Sequence, residues 1–135
     1  MKKQHFVVTG IGTGIGKTVC SAVLCEALQY DYWKPVQAGE LDALDSAFVA
    51  SLTSQTTIVP EKELLTEPMS PHEAARIDGK VLSETDFELP NFERSTIIEG
   101  AGGLMVPLND EGLNYIDIFQ QWELPVFVIT RDYLG

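Results

Sequence analysis

A chain of 135 residues, 44% hydrophobic and 21% charged, has the size and mix of one soluble domain with its own core and indicates neither disorder nor a membrane span. Nine Lys and Arg against twenty Asp and Glu leave a net charge of −11, which repels a nucleic-acid backbone and argues against a DNA or RNA partner. The apolar run after Lys2 and Lys3 breaks at Thr9 and Gly10, too short for a secretory signal peptide, so a cytoplasmic protein is expected.

The first predicted element is a strand from His5 to Thr9, the second a helix from Lys17 to Gln29. Between them runs Gly10-Ile11-Gly12-Thr13-Gly14-Ile15-Gly16-Lys17-Thr18. Strand, glycine loop, Lys-Thr and helix in this order bind nucleotide phosphates. Backbone N–H groups turn toward phosphate oxygens, the lysine reaches the β- and γ-phosphates, and the Thr hydroxyl suits Mg²⁺. The usual loop has four residues between its first glycine and the Gly-Lys-Thr; here there are five. The helix is apolar nearly all round (Val19, Ala22, Val23, Leu24, Ala27, Leu28), predicting a central place between the sheet and other elements. Cys20 and Cys25 match no metal spacing and read as small buried apolar residues.

A short strand from Tyr30 to Lys34 leads into Pro35-Val36, and Leu44, Phe48 and Leu52 then predict a second helix starting near Asp42 or Asp45. Ser70-Pro71 predicts another helix, with Ser70 capping, Pro71 at the first helical position and a stop at Gly79. Residues 80–94 show no period and read as irregular. Ser95 to Glu99 predicts a buried strand running into Gly100-Ala101-Gly102-Gly103, a second glycine loop at a strand's carboxyl end, where open α/β sheets bind ligands. Tyr115, Ile118, Phe119 and Trp122 form one helix face, read as core, and Pro125 to Thr130 is the last predicted strand. The pattern predicts a P-loop NTPase-like α/β fold, a doubly wound, mostly parallel sheet with helices on both faces. A strand five residues from the end normally feeds a covering helix, so a single domain truncated at its C-terminus is expected.

Several residues can carry chemistry. Mg²⁺ takes hard oxygen ligands, one or two carboxylates with phosphates and water. Thr18 offers one oxygen, and Glu99, at a strand end beside a glycine loop, is the best carboxylate. Asp45 is a second candidate ligand or a plain helix cap, and spacing does not separate it from Asp42. Lys34 sits where ligands gather and can neutralise charge on a reacting phosphate or carboxylate, although an ordinary surface lysine is the simpler reading of the residue alone. His72, at a helix start, suits packing or capping better than acid–base work.

Four motifs in order, Thr9 to Thr18, Lys34-Pro35-Val36-Gln37-Ala38-Gly39, Pro68-Met69-Ser70-Pro71-His72 and Glu99-Gly100-Ala101-Gly102-Gly103, closely resemble the dethiobiotin synthetase family. The resemblance implies ATP- and Mg²⁺-dependent closure of 7,8-diaminononanoate and CO₂ into a cyclic urea, through a carbamate and a carbamic-phosphoric mixed anhydride. It implies that Gly14, Ile15, Gly16, Lys17, Thr18 and Val19 wrap the phosphates, that Thr18, Asp45 and Glu99 hold Mg²⁺, and that Lys17 and Lys34 are catalytic cations. Gly100, Ala101 and Gly102 complete the ATP cradle with Asp45 and Glu99, Thr13 and Ala38 meet the substrate, and the enzyme is a homodimer. Carbamate and triphosphate are both anions, so their approach needs cations on several sides.

The chain departs from the family at Ala38, where many members carry Ser or Thr, and at Gly12 and Gly14, where some carry acids. The family's sheet also continues past Tyr133-Leu134-Gly135 into segments that bind the diamine carboxylate and the adenine, so weak or absent activity is expected of these residues alone. A partitioning or metal-delivery ATPase would share the phosphate loop and strand-end acid but leaves the Lys34 and Ser70-Pro71-His72 motifs unexplained. A cobyrinate-type amide synthetase normally adds a glutamine-hydrolysing domain.

Overall fold

The computed structural model describes residues 2–132. The predicted end at Tyr133 to Gly135 lies outside the described residues. Strands β1 (His5–Gly10), β2 (Asp31–Trp33), β4 (Ile58–Val59), β6 (Thr96–Glu99) and β7 (Val126–Ile129) form a five-stranded sheet in the order β4-β2-β6-β1-β7, and each pairing in it is parallel. Two short strands, β3 (Val36–Ala38) and β5 (Glu63–Leu65), pair in parallel as a separate ribbon.

The route from β1 to β2 passes through helix α1 (Lys17–Leu28) and crosses β6 in one direction. The route from β6 to β7 passes through α4 (Tyr115–Trp122) and crosses β1 in the other. Parallel crossovers share one hand, so connections running in opposite directions put their helices on opposite faces. The buried side chains divide accordingly. Val8, Tyr32 and Ile97 pack with Ala22 and Cys25 of α1 and with Val49 of α2 (Asp45–Leu52). Val7 packs with Tyr115, Ile118 and Phe119 of α4 and with Ala74 and Ala75 of α3 (Pro71–Ile77). Burying each large apolar side chain there stabilises the fold by about 1.5–3 kcal/mol. The expected doubly wound α/β architecture is therefore present, and its direction changes at the carboxyl ends of β1 and β6, where such sheets open a ligand crevice.

Local expectations fared unevenly. The second helix starts at Asp45 and not at Asp42. The Leu44, Phe48, Leu52 stripe that predicted it is not its buried face, since Phe48 and Leu52 are 43% and 52% exposed while Ser46 and Val49 pack inward. Similarly, α1 is not enclosed: Val19 and Val23 are 52% and 61% exposed. Cys25 is fully buried, and burial pushes its thiol up to about 12, whereas Cys20 is only half-buried. Ser70 occupies the N-cap position of α3, but its hydroxyl pairs with His72 Nδ1 at 3.0 Å and makes no capping bond. Within the segment read as irregular, Glu84–Phe87 forms a 3₁₀ turn closed by a Ser83 and Asp86 capping box.

The α4 stripe is core as expected, with Tyr115 and Ile118 fully buried and Trp122 Nε1 donating to the Phe87 carbonyl at 2.8 Å. Its start is fixed by a reciprocal box in which Asn114 Oδ1 accepts from the Asp117 N–H at 3.2 Å and Asp117 Oδ2 accepts from the Asn114 N–H at 3.0 Å. Asn114→Ala removes one half of this pair and is expected to lower stability by about 1 kcal/mol in a urea titration.

Candidate active site

The strand β1 ends in Gly10, and the chain reverses over Gly14 and Gly16, whose φ values of 69° and 106° are left-handed and open to glycine with least strain. Gly16 is the N-cap of α1 and brings no side-chain cap, so the first turn of the helix faces the loop through its backbone N–H groups. The second glycine loop closes against the first: the Leu104 N–H donates to the Gly10 carbonyl at 2.8 Å.

A cleft of about 690 Å³ opens between these loops. Thr13, Gly14, Gly16, Lys17, Thr18 and Val19 line one side, and Ala101 and Gly102 another. Lys34, Ala38 and Asp45 line a third, reached because Lys34 follows β2 directly and Asp45 opens α2. Ile15, Glu99 and Gly100 were also expected in the site but are not among its lining residues. Ile15 packs over Gly10, the Gly100 N–H donates to the Val8 carbonyl at 3.0 Å, and Glu99 lies beneath the floor with no exposed surface.

Lys34 is 6% exposed, which overturns its reading as a surface lysine. Its ammonium is paired with Asp45 Oδ2 and lies 3.9 Å from Glu99 Oε2, so one cation bridges two carboxylates. Asp45 is thus no mere cap; Leu44 holds the N-cap position. Asp42 is exposed in the preceding turn, away from the cleft. Lys17 reaches back to donate to the Gly12 carbonyl at 2.5 Å. Burial holds Lys17 below lysine's usual value; Glu99 opposes that shift and Lys34 adds to it. Burial likewise raises Glu99 above the ordinary carboxylate range, while Lys34, then the Tyr32 hydroxyl, counter it.

Among the described residues no three His, Cys, Asp or Glu side chains gather as a metal site. The oxygen set of Thr18, Asp45 and Glu99 nevertheless fits Mg²⁺, which at phosphate sites takes one or two carboxylates and completes its shell from phosphate and water. Glu99 adds to this fit, because a buried carboxylate favours a neighbouring cation.

Gln37, Glu40, Pro68 and Met69 also line the cleft and were given no site role from the sequence, whereas Ser70 and Pro71 belong to the motif that the resemblance places at a small-molecule pocket. Gln37 is 4% exposed, donates from Nε2 to the Gly39 carbonyl at 3.1 Å and accepts from the Asp45 N–H at 3.5 Å, tying the Lys34 loop to α2. A polar residue two places past Lys34-Pro35, in a motif already noted, was the available signal. Glu40 carries a positive φ of 51°, which no local pattern announces.

A family model described as an AAA domain matches residues 4–135. The chain belongs to this family. The protein from Afipia carboxidovorans named ATP-dependent dethiobiotin synthetase BioD is 49% identical over 134 residues, covering 97% of this chain and 63% of that protein. A Rhodopseudomonas palustris (strain BisB18) protein of the same name is 51% identical over 133 residues, covering 97% of this chain and 63% of its own length. The Brucella ovis protein of that name is 47% identical over 134 residues, with 98% and 63% covered. The resemblance drawn from four motifs thus extends across nearly the whole chain, which spans about 63% of the length of these curated relatives. No helix among the described residues of this AAA domain is long and apolar enough to cross a membrane.

Proposed function

We propose that the protein is an ATP-dependent dethiobiotin synthetase that closes 7,8-diaminononanoate and CO₂ into a cyclic urea. The observation that carries the reading is Lys34: a buried ammonium between two carboxylates, in the same cleft as a phosphate-type loop. A loop that only hydrolyses nucleotide needs no second buried lysine there, and the relatives' shared name supports the assignment. A switch ATPase leaves that lysine and the Pro68 to Pro71 wall without a role.

In this reading the backbone N–H groups of Gly14 to Val19 bind the triphosphate, with Ala101 and Gly102 facing them across the cleft. Thr18, Asp45 and Glu99 hold Mg²⁺, which when bound neutralises charge on the phosphates. Thr13 and Ala38 contact the diamine end, Ala38 through its backbone alone. One amine captures CO₂ as a carbamate, whose oxygen attacks the γ-phosphorus and displaces ADP. The second amine then attacks the carbonyl of the mixed anhydride, a C–N bond forms, and phosphate leaves with its bridging oxygen. Lys17 leaves its Gly12 contact to stabilise the transferring phosphoryl group, and Lys34 stabilises the carbamate facing it. Neighbouring cations also disfavour protonation of the attacking amine. The proposed enzyme is cytoplasmic, and it is homodimeric as the resemblance implies.

The complete protein, incubated with ATP, Mg²⁺, bicarbonate and the diamine, is expected to yield the cyclic urea by mass spectrometry, with ADP and phosphate formed in step. ATP hydrolysis indifferent to the diamine, with no urea, would sink the proposal.

A further inference from the structure

Glu99 does not reach its position unaided. The parallel pairing of β2 with β6 sets Tyr32 opposite Ile97, and residues two apart on a strand share a face, so Tyr32 and Glu99 project on the same side of the sheet toward α1. Both are fully buried, and the Tyr32 hydroxyl donates to Glu99 Oε2 at 2.5 Å, a short, charge-assisted bond. Lys34 faces that same oxygen at 3.9 Å. Ser21 of α1 offers the other oxygen, Oε1, a longer bond of 3.4 Å and also donates to the Lys17 carbonyl at 2.9 Å, so its hold is the weaker. The Tyr32 ring is clamped in the apolar cluster with Ala22, Cys25 and Ile97 and cannot follow the carboxylate if it turns. It does not line the cleft.

We propose that Tyr32 is a positioning residue for the cation site: through Oε2 its phenol fixes the orientation in which Glu99 faces Lys34 and Asp45. The proposal rests on the reading of Glu99 as a divalent-cation ligand. Partners that orient a metal-binding carboxylate typically govern metal affinity about 10- to 100-fold. An isosteric loss of the hydroxyl leaves the packing and removes the carboxylate's shortest hydrogen bond, leaving the longer Ser21 bond and the Lys34 ammonium to orient it.

The test uses Mn²⁺ as probe, titrated into the complete protein with a non-hydrolysable ATP analogue and followed by the EPR signal of free Mn²⁺. Tyr32→Phe is expected to weaken Mn²⁺ binding about 10-fold, and to add nothing further in a Glu99→Gln background, because the two changes remove one interaction. Analogue affinity in EDTA is the control. If Tyr32→Phe lowers it as much as it lowers affinity with Mn²⁺, the role is structural and the proposal falls. Mn²⁺ binding kept by Tyr32→Phe but lost by Glu99→Gln overturns the positioning role alone. Mn²⁺ binding kept by both variants overturns the cation-site reading, and the proposal with it.

Discussion

Lys34→Gln is expected to lower turnover at saturating ATP, bicarbonate and diamine by about 10²- to 10³-fold, the loss typical of removing one preorganised group that stabilises developing charge. The glutamine is one atom shorter and keeps hydrogen-bonding ability but no charge, so the carbamate meets the triphosphate without the cation opposite Lys17. The same change leaves Asp45 and the fully buried Glu99 without their shared ammonium. Breaking a buried pair from one side costs up to roughly 3–5 kcal/mol, and less here because the Asp45 side chain is 26% exposed. The catalytic effect is therefore read as kcat of the folded fraction, with folding followed by thermal denaturation. Full turnover in folded Lys34→Gln would remove the electrostatic role assigned to this lysine.

Gly39→Ala is expected to destabilise the protein by about 3 kcal/mol in chemical denaturation and to weaken substrate binding in parallel. Gly39 has a φ of 74°, and a Cβ there would lie 2.5 Å from Pro68 Cα and 2.7 Å from Pro68 N. These are backbone atoms and cannot rotate away. Left-handed strain costs about 1–3 kcal/mol and overpacking a similar amount. The alanine must push the Lys34 loop off the Pro68 to Pro71 wall, widening the cleft between them. A variant as stable as the parent would mean that this close approach is absent in solution.

Much of the molecule was legible before any coordinates. The phosphate loop is a local device, since glycine conformation, the following helix and the Lys-Thr pair all act within a few residues. Parallel strands read as short apolar runs, and β1, β6 and β7 lie where those runs predicted, although Val126, Phe127 and Val128 of β7 are exposed. Periodicity failed where an element is only partly covered. Leu44, Phe48 and Leu52 have the right spacing for a buried face, yet Ser46 and Val49 turn inward because α2 starts at Asp45, whose carboxylate is held by Lys34. Val19 and Val23 misled in the same way: an apolar stripe reports the residues present, not what lies opposite them.

The Lys34 and Asp45 assignments show where the boundary falls. From residue type and spacing alone, Lys34 read as surface and Asp45 evenly as ligand or helix cap, with Asp42 an undecided competitor; the family motifs favoured Lys34 and Asp45. Tyr32 drew no attention, being one aromatic in a short strand, and Glu99 was expected to line the site when it lies under its floor. The sequence by itself determined the loop chemistry and the order of elements, because these depend on neighbours along the chain. Only the tertiary structure decided that Lys34 is buried between Asp45 and Glu99 and that Tyr32 braces Glu99. Those contacts join β2, α2 and β6 across 11 to 67 residues of sequence, and the parallel register that creates them is set by packing of the whole sheet.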